Sequence, residues 1–277
     1  MGEDLHLARR YGPSMRLLAI GDNCIDHYVD LGRRFPGGNA LNVAVYSKQH
    51  HGAHADYVGV VGNDENGAYL LSQVAAAGLD TTHITVVEGA TAVTEIRLEG
   101  GERVFAGYSE GVQAWARLPL DGIPPPSSYD VAHFTIWGWG REHIPNLREQ
   151  VGVLSCDFSD QLKHPGTSIM EHLDYSFFSG SHLAGDEARR AALDLSKRTR
   201  GVVVVTLGAR GSLAYDGERF TMGAAEPVEV VDTLGAGDAF IAAFLYGRER
   251  GDSLGEALAR GHRWAARVCS RLGAWGG

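Results

Sequence analysis

Six short runs of apolar and β-branched residues, 17–20, 57–61, 131–134, 153–157, 175–178 and 202–207, recur along this chain with helical stretches between them. Strands that alternate with helices read as βαβ units, whose crossovers lay successive strands side by side in a parallel sheet with helices on its faces. Residues 40–51 and 68–77 read as two such helices, the second closed by Gly78 at a C-cap position. Further on, 238–250 reads as a helix, and Ser253 with Glu256 makes a capping box opening a last helix that reaches Arg271. The expected fold class is therefore α/β, a doubly wound, mainly parallel sheet flanked by helices.

One stretch departs from the alternation. Residues 91–98 and 103–108 flank Glu99-Gly100-Gly101-Glu102 and read as a β-hairpin. Together with 26–35 it is expected to make a small β lid over a site, the lid segments being about 26–35 and 91–112. A second copy pairing with this lid would give a homodimer. Pro124-Pro125-Pro126 breaks any helix and reads as a surface crossing. Residues 14–277 are thus expected to form one domain, preceded by a loose extension at 1–13.

Composition narrows the function. Hydrophobic residues are 44% and charged residues 21%, as in ordinary globular proteins. A net charge of -9 without a long basic run argues against nucleic acid or an anionic membrane as partner. No apolar run is long enough to span a bilayer, and the first fourteen residues lack a signal peptide's apolar centre. Cys24, Cys156 and Cys269 are odd in number and far apart, which fits buried thiols in a reducing, cytoplasmic compartment. His50, His51 and His54 read as a solvated helix end beside Gly52, and no residues are assigned as metal ligands. Trp137 and Trp139 follow a strand, where aromatic rings either wall a substrate or pack.

The segment Asp232-Thr233-Leu234-Gly235-Ala236-Gly237-Asp238 carries the most chemistry. It follows the strand-like run 228–231 and enters a helix. Small residues at Gly235, Ala236 and Gly237 let a ligand approach the backbone, while first-turn N–H groups and the helix dipole favour an anion. Asp238 would repel a phosphate bound at rest, but a carboxylate beside an anion hole suits deprotonation of a hydroxyl that attacks a phosphoryl group. The plain alternative is a helix cap with packing glycines. Gly37-Gly38-Asn39 allows close backbone approach or forms a simple turn and cap. Thr206-Leu207-Gly208-Ala209-Arg210-Gly211-Ser212 ends an apolar run where doubly wound folds bind ligands, and it also reads as a hairpin turn.

The 232–238 segment resembles the carboxy-terminal signature of the PfkB (ribokinase-like) carbohydrate kinases. Gly37-Gly38-Asn39-Ala40-Leu41-Asn42-Val43-Ala44 resembles their amino-terminal one, and the similarity runs from Arg16 to Trp275. The resemblance implies a ribokinase-like fold and an ATP-dependent sugar kinase. It implies that Asp238 is the base, with Gly235, Ala236 and Gly237 forming the anion hole. Asp26, Gly38, Asn39 and Asn42 would hold sugar hydroxyls, which carboxylates and amides can bind as acceptors and donors. Thr206, Gly208 and Gly211 would lie near the ATP phosphates and ribose, and His262 against the adenine. Mg2+ is expected with ATP, held chiefly by phosphates and water; a monovalent cation behind the anion loop is left open. The family's Asn-x-x-Glu metal-water motif is replaced after Phe178 by 179–187, where Asp186 and Glu187 are the available carboxylates.

Within the family, the wording at 21–26, 37–40, 108–112, 136–138, 157–160 and 273–275 resembles the kinases that phosphorylate the 6-hydroxyl of fructoselysine, a fructosamine. Such a substrate carries a cationic amine, and Glu110 on the lid is the candidate partner. Arg103 is a candidate contact to substrate or incoming phosphate, or a hairpin charge pair with Glu99 or Glu102. The alternatives are a kinase of a plain sugar or sugar acid, of fructokinase, ribokinase or 2-keto-3-deoxygluconate kinase type, and a non-catalytic sugar or nucleotide sensor. A sensor has no need of the base.

Overall fold

The computed structural model describes residues 14–99, 102–117, 120, 123–184 and 186–275, without the side chains of 98, 99, 102 and 103. The extension expected at 1–13 lies outside the described residues. In chain order the elements are β1 (Arg16–Ile20), β2 (Cys24–Tyr28), β3 (Arg33–Gly37), α1 (Asn39–His51), β4 (His54–Gly62), α2 (Glu65–Ala76), β5 (Ile84–Val87), β6 (Val93–Glu99) and β7 (Glu102–Ser109). There follow β8 (Val131–Thr135), α3 (Ile144–Leu147), β9 (Val153–Asp157), β10 (Tyr175–Ser179), α4 (Glu187–Ser196), β11 (Val202–Thr206), β12 (Ser212–Tyr215), β13 (Phe220–Gly223), α5 (Ala236–Glu249) and α6 (Leu254–Cys269).

Among the described residues, nine strands form one sheet in the order β13-β12-β11-β10-β9-β8-β1-β4-β5. Pairing is parallel from β5 through β11 and antiparallel for β12 and β13 at one edge. The sheet is buried on both faces, and successive residues of β1 divide between them. Leu17 and Ala19 face a core with Val43, Phe177, Phe240, Phe244 and Leu258, under α1, α5 and α6. Leu18 and Ile20 face a second core with Phe134, Ile144, Leu154 and Ala192, under α3 and α4. This two-sided burial is why the central strands read as continuous apolar runs rather than alternating ones.

Local signals set the helix ends. Asp64 caps α2 by accepting the Gly67 N–H, and Gly78, at φ +85°, donates to Ala75 just past the end. Ser253 and Glu256 close their capping box at the start of α6. Two expectations need correction. Residues 228–231 form no strand; Val228, Val230 and Val231 are exposed in an irregular segment, because the β12–β13 hairpin already closes that edge of the sheet. His50 and His51 are not a solvated helix end: His50 stacks on Tyr46 and Trp264, and His51 on Tyr246.

A second sheet of four strands, β3-β2-β6-β7, stands on the main one. Its β6–β7 hairpin carries a register shift between Glu95 and Ile96. Tyr28, Phe35 and Ile96 make a small core that reaches Leu234 and Leu272, so this sheet packs against the segment that leads into α5 and against the carboxy-terminal tail.

Candidate active site

Sheet register brings the site together. Ile20 pairs with Phe134, and Thr135 pairs with Asp157, so β1, β8 and β9 end side by side. The residues at those carboxyl ends face the crevice where open α/β sheets bind ligands. Asp22, just past β1, accepts the N–H groups of Asn39 at 2.9 Å and Ala40 at 3.2 Å and the Thr135 hydroxyl at 2.7 Å. It thereby caps α1, whose own N-cap, Gly38, has no side chain to do so. Gly38 sits at φ +107°, and a Cβ there would collide with the Asn23 backbone. Gly37 is constrained likewise, because a Cβ would overlap the Asp26 carboxylate.

From this cap α1 projects two amides one turn apart. Asn39 donates to Asp157 at 2.9 Å, and Asn42 donates to Asp238 at 2.7 Å. Asp238 lies in the first turn of α5, after Gly235 at φ +76°. The Ala236 N–H bonds back to Thr233 at 3.2 Å, which leaves the Gly237 and Asp238 N–H groups as first-turn donors pointing past the helix end. A Cβ at Gly237 would meet nothing within 4 Å, so there is open space beside this turn.

Asp22, Asp26, Asp157 and Asp238 are all buried. Burial pushes the Asp238 carboxyl well above the ordinary range, and the charges of Asp157, Asp22 and Asp26 push it the same way against the Asn42 hydrogen bond. Burial likewise raises Asp157 to about 6, opposed by its bonds from Ser159 and Asn39. Burial also raises Asp22. Buried carboxylates this close favour one another's protonated form, and strongly perturbed groups of this kind cluster at functional sites.

The sequence-selected residues fall in three groups. Asp26, Gly38, Asn39, Asn42, Gly235, Ala236, Gly237 and Asp238 come together around the amino-terminal ends of α1 and α5, joined by Asn42 to Asp238 and by the Asp26 charge on Asp238. Thr206, Gly208 and Gly211 form the tight turn between β11 and antiparallel β12, closed by the Leu207 N–H on Gly211 at 2.7 Å. His262 of α6 is buried nearby, 2.8 Å from the Ser212 hydroxyl and edge-on to Phe240, its pKa lowered to about 4 by burial. The third group is on or just past β7 of the four-stranded sheet. Glu110 is exposed just past β7, and its charge, with those of Asp22 and Asp26, acts on Tyr108. Arg103 lies on β7 opposite Leu98, and its side chain is outside the described residues. Trp137 and Trp139 separate: Trp139 is in the core, whereas Trp137 is 37% exposed beside the Asp22 site, its carbonyl accepting from Thr135 at 3.1 Å.

Sequence reasoning missed Asp22, Asp157 and Trp275. Asp22 and Asp157 each carry a legible signal, a carboxylate at the carboxyl end of an apolar strand run. Trp275, whose indole N–H donates to Asn42 Oδ1 at 2.6 Å, carries no local one.

Residues 19–134 and 140–276 match the model of the pfkB family carbohydrate kinases. The chain is 40% identical over 261 residues to fructoselysine 6-kinase of Shigella flexneri, covering 94% of this chain and 99% of that protein. It is 33% identical over 271 residues to a fructosamine kinase of Bacillus subtilis (strain 168), covering 95% and 93%. In fold it is similar to Arabidopsis thaliana ribokinase complexed with ribose and ATP, with a TM-score of 0.81, 19% identity and 94% of each chain covered. The glycine turn before α5, the carboxylate in its first turn and the amides of α1 therefore stand in a ribokinase-like frame, and the chain belongs to the pfkB family of carbohydrate kinases.

Proposed function

We propose that this ATP-dependent carbohydrate kinase, a phosphotransferase with an alcohol group as acceptor, phosphorylates the 6-hydroxyl of fructoselysine or a related fructosamine. The observation that carries the reading is the buried set Asp22, Asp26, Asp157 and Asp238, in which the strongest charge effects on Asp238 come from other carboxylates. A neutral sugar gains little from such a field, whereas a substrate with an ammonium group is drawn in by it. Similarity to relatives named for fructoselysine and fructosamine supports the same substrate class.

The whole of 14–277 acts as one kinase domain, with segments 26–35 and 91–112 as its lid. Substrate enters beneath the lid, where Asp26, the Gly38 backbone, Asn39 and Asn42 hold its hydroxyls and Glu110 meets its amine. Arg103 is the candidate contact to substrate or incoming phosphate. Thr206, Gly208 and Gly211 lie by the ATP phosphates and ribose, with His262 beneath the adenine. Asp238 takes the proton of the 6-hydroxyl as that oxygen attacks the γ-phosphorus, ADP leaves, and the first-turn N–H groups of α5 stabilise the transferred oxygens.

The carboxylates available to Mg2+ fit an ion held mainly by ATP and water. Glu187 accepts the Ala184 N–H at 2.7 Å, exposed Asp186 makes no capping bond and can hold a metal-bound water, and no larger ligand cluster is gathered among the described residues. Bound with ATP, the ion would neutralise phosphate charge. The proposal leaves the monovalent cation open and includes a homodimer through the lid. It places the enzyme in the cytoplasm, in keeping with three free, buried cysteines; among the described residues no helix is long and apolar enough to cross a membrane.

The test is ATP turnover with Mg2+ on fructoselysine, fructose, ribose and 2-keto-3-deoxygluconate, for the wild type and Asp238→Asn. The expected result is strong preference for fructoselysine and a loss of about 100-fold to 10,000-fold in kcat for the variant with ATP binding retained. Turnover of a plain sugar alone would discard the fructosamine substrate, and undiminished turnover by Asp238→Asn would discard the base.

A further inference from the structure

We infer that Trp275 is a positioning residue for the catalytic base: its indole N–H fixes the orientation of the Asn42 amide, and through that amide the carboxylate of Asp238. The inference rests on the reading of Asp238 as base. An indole N–H can only donate, so the atom that Asn42 turns toward it, at 2.6 Å, must be the amide oxygen. That leaves the amide nitrogen on the other side, 2.7 Å from Asp238 Oδ2, where it donates to the carboxylate. Without the indole N–H the amide loses the contact that holds its plane, and its donation to the carboxylate loosens.

The tail that carries Trp275 is fixed in its own right. The Tyr46 hydroxyl donates to the Ala274 carbonyl at 2.7 Å, the Gly273 N–H donates to Asp232 at 2.9 Å, and Trp275 is 3% exposed in the core. Asp232 also accepts from the Leu234 N–H at 3.0 Å and from the Tyr28 hydroxyl of β2. The residue that orients the base is therefore anchored by the same aspartate that opens the anion loop and meets the lid.

The groups acting on Asp238 define what losing this contact does. Asp157 of β9, Asp22 after β1 and Asp26 of β2 all disfavour its ionised form, and Asn42 of α1 favours it. Tyr46 of α1 feels the Asp238 charge and is itself met by Arg271, just past α6. Removing the Asn42 donation raises the pKa of Asp238. A base works only when deprotonated, so the acidic limb of the kcat profile moves to higher pH.

The experiment compares steady-state kinetics across pH on the preferred sugar for the wild type, Trp275→Phe, Asn42→Ala and the double variant. Trp275→Phe is expected to lower kcat about 10-fold or more, to leave KM for sugar and ATP within about 2-fold, and to shift the acidic limb upward. The double variant is expected to be no slower than Asn42→Ala alone, because the tryptophan acts through that amide. Should Trp275→Phe fail to fold, benzothienylalanine at 275, which replaces only the N–H by sulfur, gives the same readouts in an isosteric ring. A lower Tm with an unmoved acidic limb and unchanged kcat would overturn the inference, as would additive losses in the double variant. Asp238→Asn separates the two claims: if it turns over like the wild type, the base assignment falls, whereas its loss alongside an unaffected Trp275→Phe overturns the positioning role alone.

Discussion

Asp157 shows how a single side chain can be bad for the fold and good for the site. Its carboxyl is raised to about 6 by burial, above its ordinary 3.8. In that window the folded state binds more protons than the unfolded one, so stability falls as pH rises from about 4 to about 6, by about 3 kcal/mol once complete. Asp157→Asn keeps an acceptor for one of its two donors, Asn39 and Ser159, and removes the charge. It is expected to raise Tm at pH 7.5, with the gain vanishing near pH 4, in calorimetric scans at the two pH values; equal Tm at both would mean the carboxylate ionises at no cost. Because that charge also raises the proton affinity of Asp238, the same variant should extend kcat to lower pH. Asp238 was legible in the sequence because the groups that give it meaning, the small residues and the helix start, are its immediate neighbours. The meaning of Asp22, Asp157 and Trp275 depends on strand register and on a contact between Asn42 and Trp275, 233 residues apart, which no local pattern encodes.

At the level of elements, α1 does two jobs at its two ends. Its first turn aims Asn39 and Asn42 into the site, and its last turn pins it to α5 and α6 through rings: His50 stacks 4.3 Å from Trp264, and His51 lies 4.8 Å from Tyr246. Burial lowers both histidines to about 4. The unfolded chain, with histidines near 6.5, takes up protons first, so this contribution is complete above pH 6.5 and is lost as pH falls toward 4. His50→Phe with His51→Phe is expected to flatten the fall of Tm between pH 7 and pH 5, and an unchanged slope would show that other groups govern it. Helices were legible where caps were local, as with Gly78 and the Ser253–Glu256 box. The valines at 228–231 misled because strand propensity needs a partner, and β13 already occupied the sheet edge.

For the molecule as a whole, the four-stranded sheet exposes large aromatic side chains at one edge. Its strand β7 is an edge, and Phe105 is 63% and Tyr108 51% exposed on it. An exposed edge with large apolar side chains is a template for pairing with another strand, and natural sheets usually blunt it with charge, bulges or a cover. Here Glu95 pairs with Gly107 and Ile96 with Phe105, so the extra residue, Ala106, bulges on β7 itself, and Phe105 stays exposed beside that bulge. A second copy supplies a matching edge without any new sequence, because a two-fold interface needs only one self-complementary patch. Phe105→Lys places a charge in that patch while leaving the main sheet untouched. The wild type is expected to elute as a dimer in light-scattering chromatography at micromolar concentration, and the variant as a monomer with a raised KM for sugar, since an unpaired lid holds substrate less firmly. A wild type that is monomeric at every concentration would sink the interface, and a monomeric variant with unchanged KM would mean that each lid closes its own site unaided.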